Sequence, residues 1–139
     1  PDAVRPWQHV LEPLGGYLLL GQRLFEGETL AATGWNFGPA ENDALTVGEV
    51  AAQMKRFWPR VEFRFAPQPD APHETKLLQL DCAKAERELH WHGVWSAGEA
   101  IRRTAEWYRD FYETGAVDTA ADLDGYLAAA AERGVVWMR

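Results

Sequence analysis

The chain is poor in the parts that most recognisable chemistries require. Its 139 residues include one cysteine, Cys82, which excludes an internal disulfide framework and predicts a reducing, cytoplasmic compartment. No apolar run approaches a membrane span, the longest notable cluster being Tyr17 to Leu20. No basic-then-apolar leader opens the sequence, and its start at Pro1 rather than Met leads to the expectation of a processed or excised product. Positive charge is scarce. With 14 Lys and Arg against 21 Asp and Glu, the net charge of −7 excludes general affinity for nucleic acid or anionic membrane. A Rossmann scaffold needs a glycine-rich turn whose amides approach a pyrophosphate, yet no G-x-G-x-x-G spacing exists, and no P-loop either. A Tyr-x-x-x-Lys dyad would set a phenol and an ammonium on one helix face. None of Tyr17, Tyr108, Tyr112 or Tyr126 has Lys four residues later. The chain alone lacks the usual parts for binding NAD.

What is present is an ordinary globular composition, 47% hydrophobic and 25% charged. A chain of this length buries about 68% of its unfolded surface, enough for one core and hence one domain or a piece of one. Seven Trp point to aromatic-rich packing or a ligand-facing surface. No period of 20 to 50 residues repeats, which argues against solenoids and propellers.

Hydrophobic periodicity sets out the elements. After Pro13, the spread of Leu14, Tyr17, Leu18, Leu20, Leu24 and Phe25 over more than one face predicts a largely buried helix ended by Gly27. Gly15 and Gly16 within it predict close backbone approach. Thr33 to Phe37 reads as a strand ending at Gly38-Pro39. Thr46 and Glu49 form a capping box opening a helix with Val50, Met54 and Phe57 on one face, stopped near Pro59. Val61, Phe63 and Phe65 alternate with charged residues as in a half-buried strand, and Leu77 to Leu80 reads as another. Gln68 to Pro72 reads as a loop. Asp81 is a natural N-cap for a short helix over Cys82 to Leu89. Ser96 with Glu99 starts a helix through Tyr112 that closes near Gly115. Leu123, Tyr126, Leu127 and Ala130 mark a last helix over about Ala120 to Arg133. The fold class is α/β, mixed α+β in isolation.

Three sets of side chains invite a chemical reading. His90 and His92 form His-x-His near Asp81, a fragment of a metal site or a pair of ordinary loop histidines; no cysteine pair or second His pair completes a zinc set. Cys82 at a helix N-terminus is either a thiol of lowered pKa or a small core residue. Trp91, Trp95, Trp107 and Tyr108 are expected to pack the core.

The segments RPWQHVLEP (Arg5 to Pro13), WNFGP (Trp35 to Pro39), LDCAKA (Leu80 to Ala85) and EAIRRTAEWY (Glu99 to Tyr108) carry a resemblance. Together they are similar to the C-terminal part of the CDP-glucose 4,6-dehydratases, within the extended short-chain dehydrogenase/reductase superfamily. The resemblance covers about residues 4–115 and implies a nucleotide-sugar-binding portion lacking most of the Rossmann sheet. It divides the chain into a substrate-binding region, 1–115, and a helical extension, 116–139. It assigns the glycine-rich NAD site, the Tyr-x-x-x-Lys dyad and the acid/base residues to a missing N-terminal portion, so that NAD serves the parent enzyme and this segment alone is inactive. In such enzymes the Arg of the R-x-W motif and the Asn of the N-x-G strand contact the nucleotide diphosphate, which implies Arg5 and Asn36. A guanidinium fork matches paired phosphates, each charge-assisted bond contributing about 1.5–3 kcal/mol. The competing readings are a surface ion pair for Arg5 and a turn residue capping its strand for Asn36. Trp7, Gln8 and His9 are candidates to line the sugar or base pocket.

The sequence departs from the family pattern in two places. Where relatives carry R-P-G about ten residues before the Asp matching Asp81, it reads APHET, so His73, Glu74 or Lys76 becomes a candidate substitute. Leu-Gly-Trp is replaced by Leu89-His90-Trp91, so His90 must adopt a left-handed conformation or end the helix differently. Lys84 reads as structural. The implied partners are CDP-glucose or a related nucleotide sugar, the Rossmann portion and further copies of the chain in a homo-oligomer, with no nucleic acid and no membrane. The alternatives are a non-catalytic nucleotide-sugar-binding or interaction module, or an epimerase or dehydratase acting on another nucleotide sugar.

Overall fold

A computed structural model describes residues 1–66 and 75–138. Helices dominate. A two-residue strand β1 (Val4–Arg5) pairs antiparallel with β2 (Leu45–Thr46), Val4 opposite Thr46 and Arg5 opposite Leu45. Between and after them come α1 (Leu11–Phe25), α2 (Val47–Phe57), a π-helical turn (Ala85–Leu89), α3 (Ala97–Thr114) and α4 (Thr119–Arg133). This is a small mixed α+β arrangement with a two-stranded sheet among the described residues.

Local capping rules set most boundaries. Thr46 Oγ1 accepts from the Glu49 N–H at 3.1 Å while Glu49 reaches back to the Thr46 N–H at 2.8 Å, the reciprocal capping box. Ser96 caps α3 through the Glu99 N–H, and Gly115 ends it in a left-handed conformation, φ 78°. Asp81 Oδ1 accepts from the Ala83 N–H at 2.9 Å, opening the short helix that the π turn completes. His90 takes the left-handed position after that turn, φ 52° and ψ 31°. Gly16 meets the core directly: a Cβ there would lie 2.4 Å from Phe37.

Two buried clusters form the interior. Leu19, Phe37, Ala85, Leu89 and Trp91 make one, and Val94, Tyr126, Ala130 and Val135 the other, with Trp137 packed against both. Tyr126 and Ala130 thus build α4 into the core, while Leu123 and Leu127 stay partly exposed.

Several expectations need correction. Thr33 to Phe37, Val61 to Phe65 and Leu77 to Leu80 are not strands; the sole trace of sheet among them is one parallel bridge between Val4 and Leu77. Strand propensity reflects packing on a pleated surface, and the described residues offer these segments no such surface. Helix α1 is not largely buried. Its Glu12, Gly15, Gly16 and Leu19 face inward, but Leu18 and Tyr17 are open and Phe25 is 93% exposed. Of the four aromatics expected in the core, Trp91 is buried, Trp95 and Trp107 are half-buried, and Tyr108 is exposed.

Candidate functional site

Strand β1 brings Arg5 to a cleft of about 270 Å3, shared with Pro6, Pro39, Glu41, Leu80 and Asp81. Backbone pairing fixes the arginine: β2 holds one side of β1, while the Val4 N–H donates to Lys76 O at 2.8 Å on the other. Arg5 Nη1 donates to Val4 O at 2.8 Å and to Thr75 O at 3.0 Å, which aims the guanidinium toward the segment ahead of Asp81. Glu41 and Asp81 set carboxylates beside it, so the cleft carries both signs of charge. Its volume lies just below the roughly 300–1,000 Å3 of complete small-molecule sites. It can grip part of a ligand without enclosing a whole nucleotide sugar.

The other sequence candidates do not all converge there. Asn36 Nδ2 donates to Asp81 O at 3.1 Å, tying its loop to the segment that lines the cleft without lining it. Trp7 Nε1 donates to Leu45 O at 3.0 Å, and Gln8 Nε2 to Phe37 O at 2.9 Å, so both brace neighbouring backbone. His9 is buried beside a different groove, its ring edge-on to Trp95 at 4.9 Å. Burial lowers its pKa, with Asp122 opposing and Arg103 adding to the shift. His73 and Glu74 lie outside the described residues.

Sequence reasoning missed the polar centre of the molecule. Glu12, inside the RPWQHVLEP motif, is 2% exposed. Its carboxylate accepts from Val94 N–H at 2.8 Å, Trp95 N–H at 2.7 Å and Tyr126 O–H at 3.0 Å. One side chain thus ties α1, the loop before α3, and α4. Burial pushes its pKa up against the pull of those hydrogen bonds, and the same burial, with Glu12 nearby, pushes the Tyr126 phenol up. A Glu following an apolar pair in a helix gives no local sign of this role.

The remaining candidates are structural. Cys82 is buried and burial raises its thiol pKa, which overturns the activated-thiol reading. Lys84 Nζ bonds Thr33 Oγ1 and Gly34 O, and sits 4.0 Å over the Trp35 ring. No group of three His, Cys, Asp or Glu side chains among the described residues is arranged to hold a metal ion. Nor is any described helix long and apolar enough to cross a membrane.

No protein-family model matches the chain. It is 36% identical over 131 residues to the CDP-glucose 4,6-dehydratase of Salmonella typhimurium, covering 93% of this chain and 36% of that protein. A bifunctional UDP-glucose 4-epimerase and UDP-xylose 4-epimerase of Pisum sativum is 25% identical over 109 residues, 78% of this chain and 30% of the relative. UDP-glucose 4-epimerase 2 of Oryza sativa is 26% identical over 117 residues, 84% and 28% respectively. The chain spans about a third of the length of these curated relatives. Through an alignment that runs along nearly its whole length, the chain is homologous to the C-terminal region of a CDP-glucose 4,6-dehydratase.

Proposed function

We propose that this chain is the substrate-binding part of an NAD-dependent CDP-glucose 4,6-dehydratase of the extended short-chain dehydrogenase/reductase superfamily. The observation that carries the reading is the 36% identity to such a dehydratase over 93% of the chain, together with a fixed Arg5 guanidinium in an open cleft. In the parent enzyme, oxidation at C4 of the sugar, loss of water across C5 and C6 and return of the hydride to C6 would give a CDP-4-keto-6-deoxy sugar. NAD supplies the hydride chemistry, and the residues here contribute grip and orientation. Arg5 meets the diphosphate, and Asn36 acts beside it by fixing the Asp81 backbone. Trp7 and Gln8 brace the motif, whereas His9 turns away from the cleft to a different groove. His73 and Glu74 remain candidates because they immediately precede Thr75, whose carbonyl receives the guanidinium.

The mixed charge and small volume of the cleft support a half-site completed by the preceding Rossmann portion. The open apolar side of α1 (Leu18, Phe25) supports a surface made to be covered, by that portion or by another copy. Residues 1–115 would form the binding region, with 116–139 an extension locked on through Tyr126 and Glu12. The lone reduced cysteine supports a cytoplasmic setting.

In the full-length parent, Arg5→Ala should raise KM for CDP-glucose by tenfold or more, as loss of one charge-assisted pair of about 1.5–3 kcal/mol requires. An unchanged KM removes Arg5 from the site. The 139-residue chain supplied with NAD should turn over no CDP-glucose, and measurable product would defeat the assignment of catalysis to the missing portion. The alignments to UDP-glucose 4-epimerases favour one second reading, an enzyme for another nucleotide sugar. Preference of the parent for UDP-glucose over CDP-glucose would select it.

A further inference from the structure

A groove between the start of α1, α3 and α4 has no place in the proposed nucleotide-sugar cleft. It holds about 600 Å3, within the roughly 300–1,000 Å3 of small-molecule sites, and is predominantly apolar. His9 and Leu11 border it on one side, Trp107 and Tyr108 on another, Thr119 and Leu123 on a third. The aromatic side is already ordered. Trp107 Nε1 donates to Thr119 Oγ1 at 3.2 Å, its ring stacks on Phe111 at 5.5 Å, and Tyr108 stands edge-on to it at 5.2 Å.

His9 supplies the polar element. The residue is only 8% exposed, and its Nδ1 accepts from the Leu11 N–H at 3.3 Å. An accepting Nδ1 leaves the proton of the neutral imidazole on Nε2, which becomes a donor. Among the described residues Nε2 finds no hydrogen-bond partner, yet it is not one of the sealed polar atoms, which are Gln8 Oε1, Trp91 Nε1 and Trp137 Nε1. It therefore reaches open space, and the open space His9 borders is this groove. A donor that opens onto an apolar groove is placed to meet an acceptor arriving with a ligand.

Charge narrows the ligand. No cationic side chain lines the groove, and Asp122 places a carboxylate there, which disfavours anions. Arg103 stands 3.8 Å from Asp122, and the His9 donor repels cations, so positive ligands gain little. We infer that this groove is a binding site for a neutral, flat ring compound carrying one hydrogen-bond acceptor, such as a carbonyl, which meets His9 Nε2 while the ring packs against Trp107, Tyr108 and Leu123.

Three probes separate the elements of this site in the 139-residue chain: acetophenone (ring and carbonyl), ethylbenzene (ring alone) and benzoate (ring and negative charge). Histidine side-chain and methyl NMR spectra follow each titration. Acetophenone should move the His9 Nε2 and Leu123 methyl resonances saturably and bind about tenfold tighter than ethylbenzene, with benzoate weakest. Leu123→Trp, at a half-exposed position outside both buried clusters, should fill the groove and abolish the shifts at unchanged Tm. Equal affinity for acetophenone and ethylbenzene, an unmoved His9, or binding that survives Leu123→Trp would each overturn the inference. So would probe-free, concentration-dependent broadening at Tyr108 and Leu123, which would mark a second copy as the occupant.

Discussion

Glu12 concentrates more consequence in one side chain than any other residue described. Its carboxylate satisfies three donors, two of them backbone, so Glu12→Ala leaves Val94 N–H, Trp95 N–H and Tyr126 O–H unpaired in a dry interior. Each orphaned donor costs about 1–3 kcal/mol, and a loss of at least about 3 kcal/mol is expected in urea denaturation, against about 1.5–3 for Tyr126→Phe, which removes a single bond to the carboxylate. Two carboxyls also pull the pH dependence in opposite directions. The Arg102 hydrogen bonds, helped by Arg103 and opposed by burial, hold Glu99 down to about 2 from its ordinary 4.5. Its stabilisation is therefore complete above about 4.5 and disappears as pH falls through about 2. Burial raises Glu12, so the folded state binds its proton more tightly, and that contribution is present below 4.5 and lost as pH rises through the elevated value. Tm measured from pH 2 to 7 should show Glu99→Gln flattening the acid limb and leaving the limb governed by Glu12 in place. An acid limb as steep as that of the wild type would show that the Arg102 contact contributes nothing in solution.

At the scale of elements, the features readable in the sequence were those whose cause is local. Thr46 with Glu49 and Ser96 with Glu99 state the starts of α2 and α3, because a cap is made by residues three apart. At His90, after Leu89, the sequence left a left-handed residue or a different helix end open, and the structure takes the left-handed one. Strands were not readable: the alternation of Val61, Phe63 and Phe65 is genuine, but pairing depends on a partner segment that alternation does not specify. The candidate site divides along the same line. Arg5 was proposed through its motif, whereas the directions of Trp7 and Gln8 arise from contacts with Leu45 and Phe37 that no spacing within the motif encodes. Two glycines of α1 test how packing overrides propensity. Gly16→Ala gains about 1 kcal/mol of helix propensity but drives a Cβ to 2.4 Å from Phe37, where overpacking costs about 1–3 kcal/mol or more. Gly21→Ala meets nothing within 4 Å and should keep its gain. Thermal unfolding should lower Tm for the first and raise it for the second; a rise for both would mean that Phe37 yields freely.

For the whole molecule, the decisive contrast is between a finished interior and an unfinished exterior. Trp91, Ala85, Ala105 and Ala130 are buried as in any complete domain. Yet Leu18, Phe25 and Leu30, at 76%, 93% and 90% exposure, lie on α1 or in the turn just after it. Scattered exposed apolar side chains need no explanation, but a run of them along one helix and the turn beyond it has the character that interaction surfaces share. Under the proposed function, the remaining part of a dehydratase-length parent is one candidate to meet such a surface. The isolated chain should then cover it by self-association, and Leu18→Glu with Phe25→Glu should convert oligomer to monomer in sedimentation velocity without lowering helix content. The same pair placed in the full-length parent separates the two possible occupants. If the preceding portion lies on α1, the variant parent is destabilised by several kcal/mol, because two charges enter a buried apolar contact. If another copy lies there, the parent keeps its stability and loses only its oligomeric state. A variant chain that stays oligomeric, in a parent that changes in neither respect, would show that this face of α1 is solvent-facing by design.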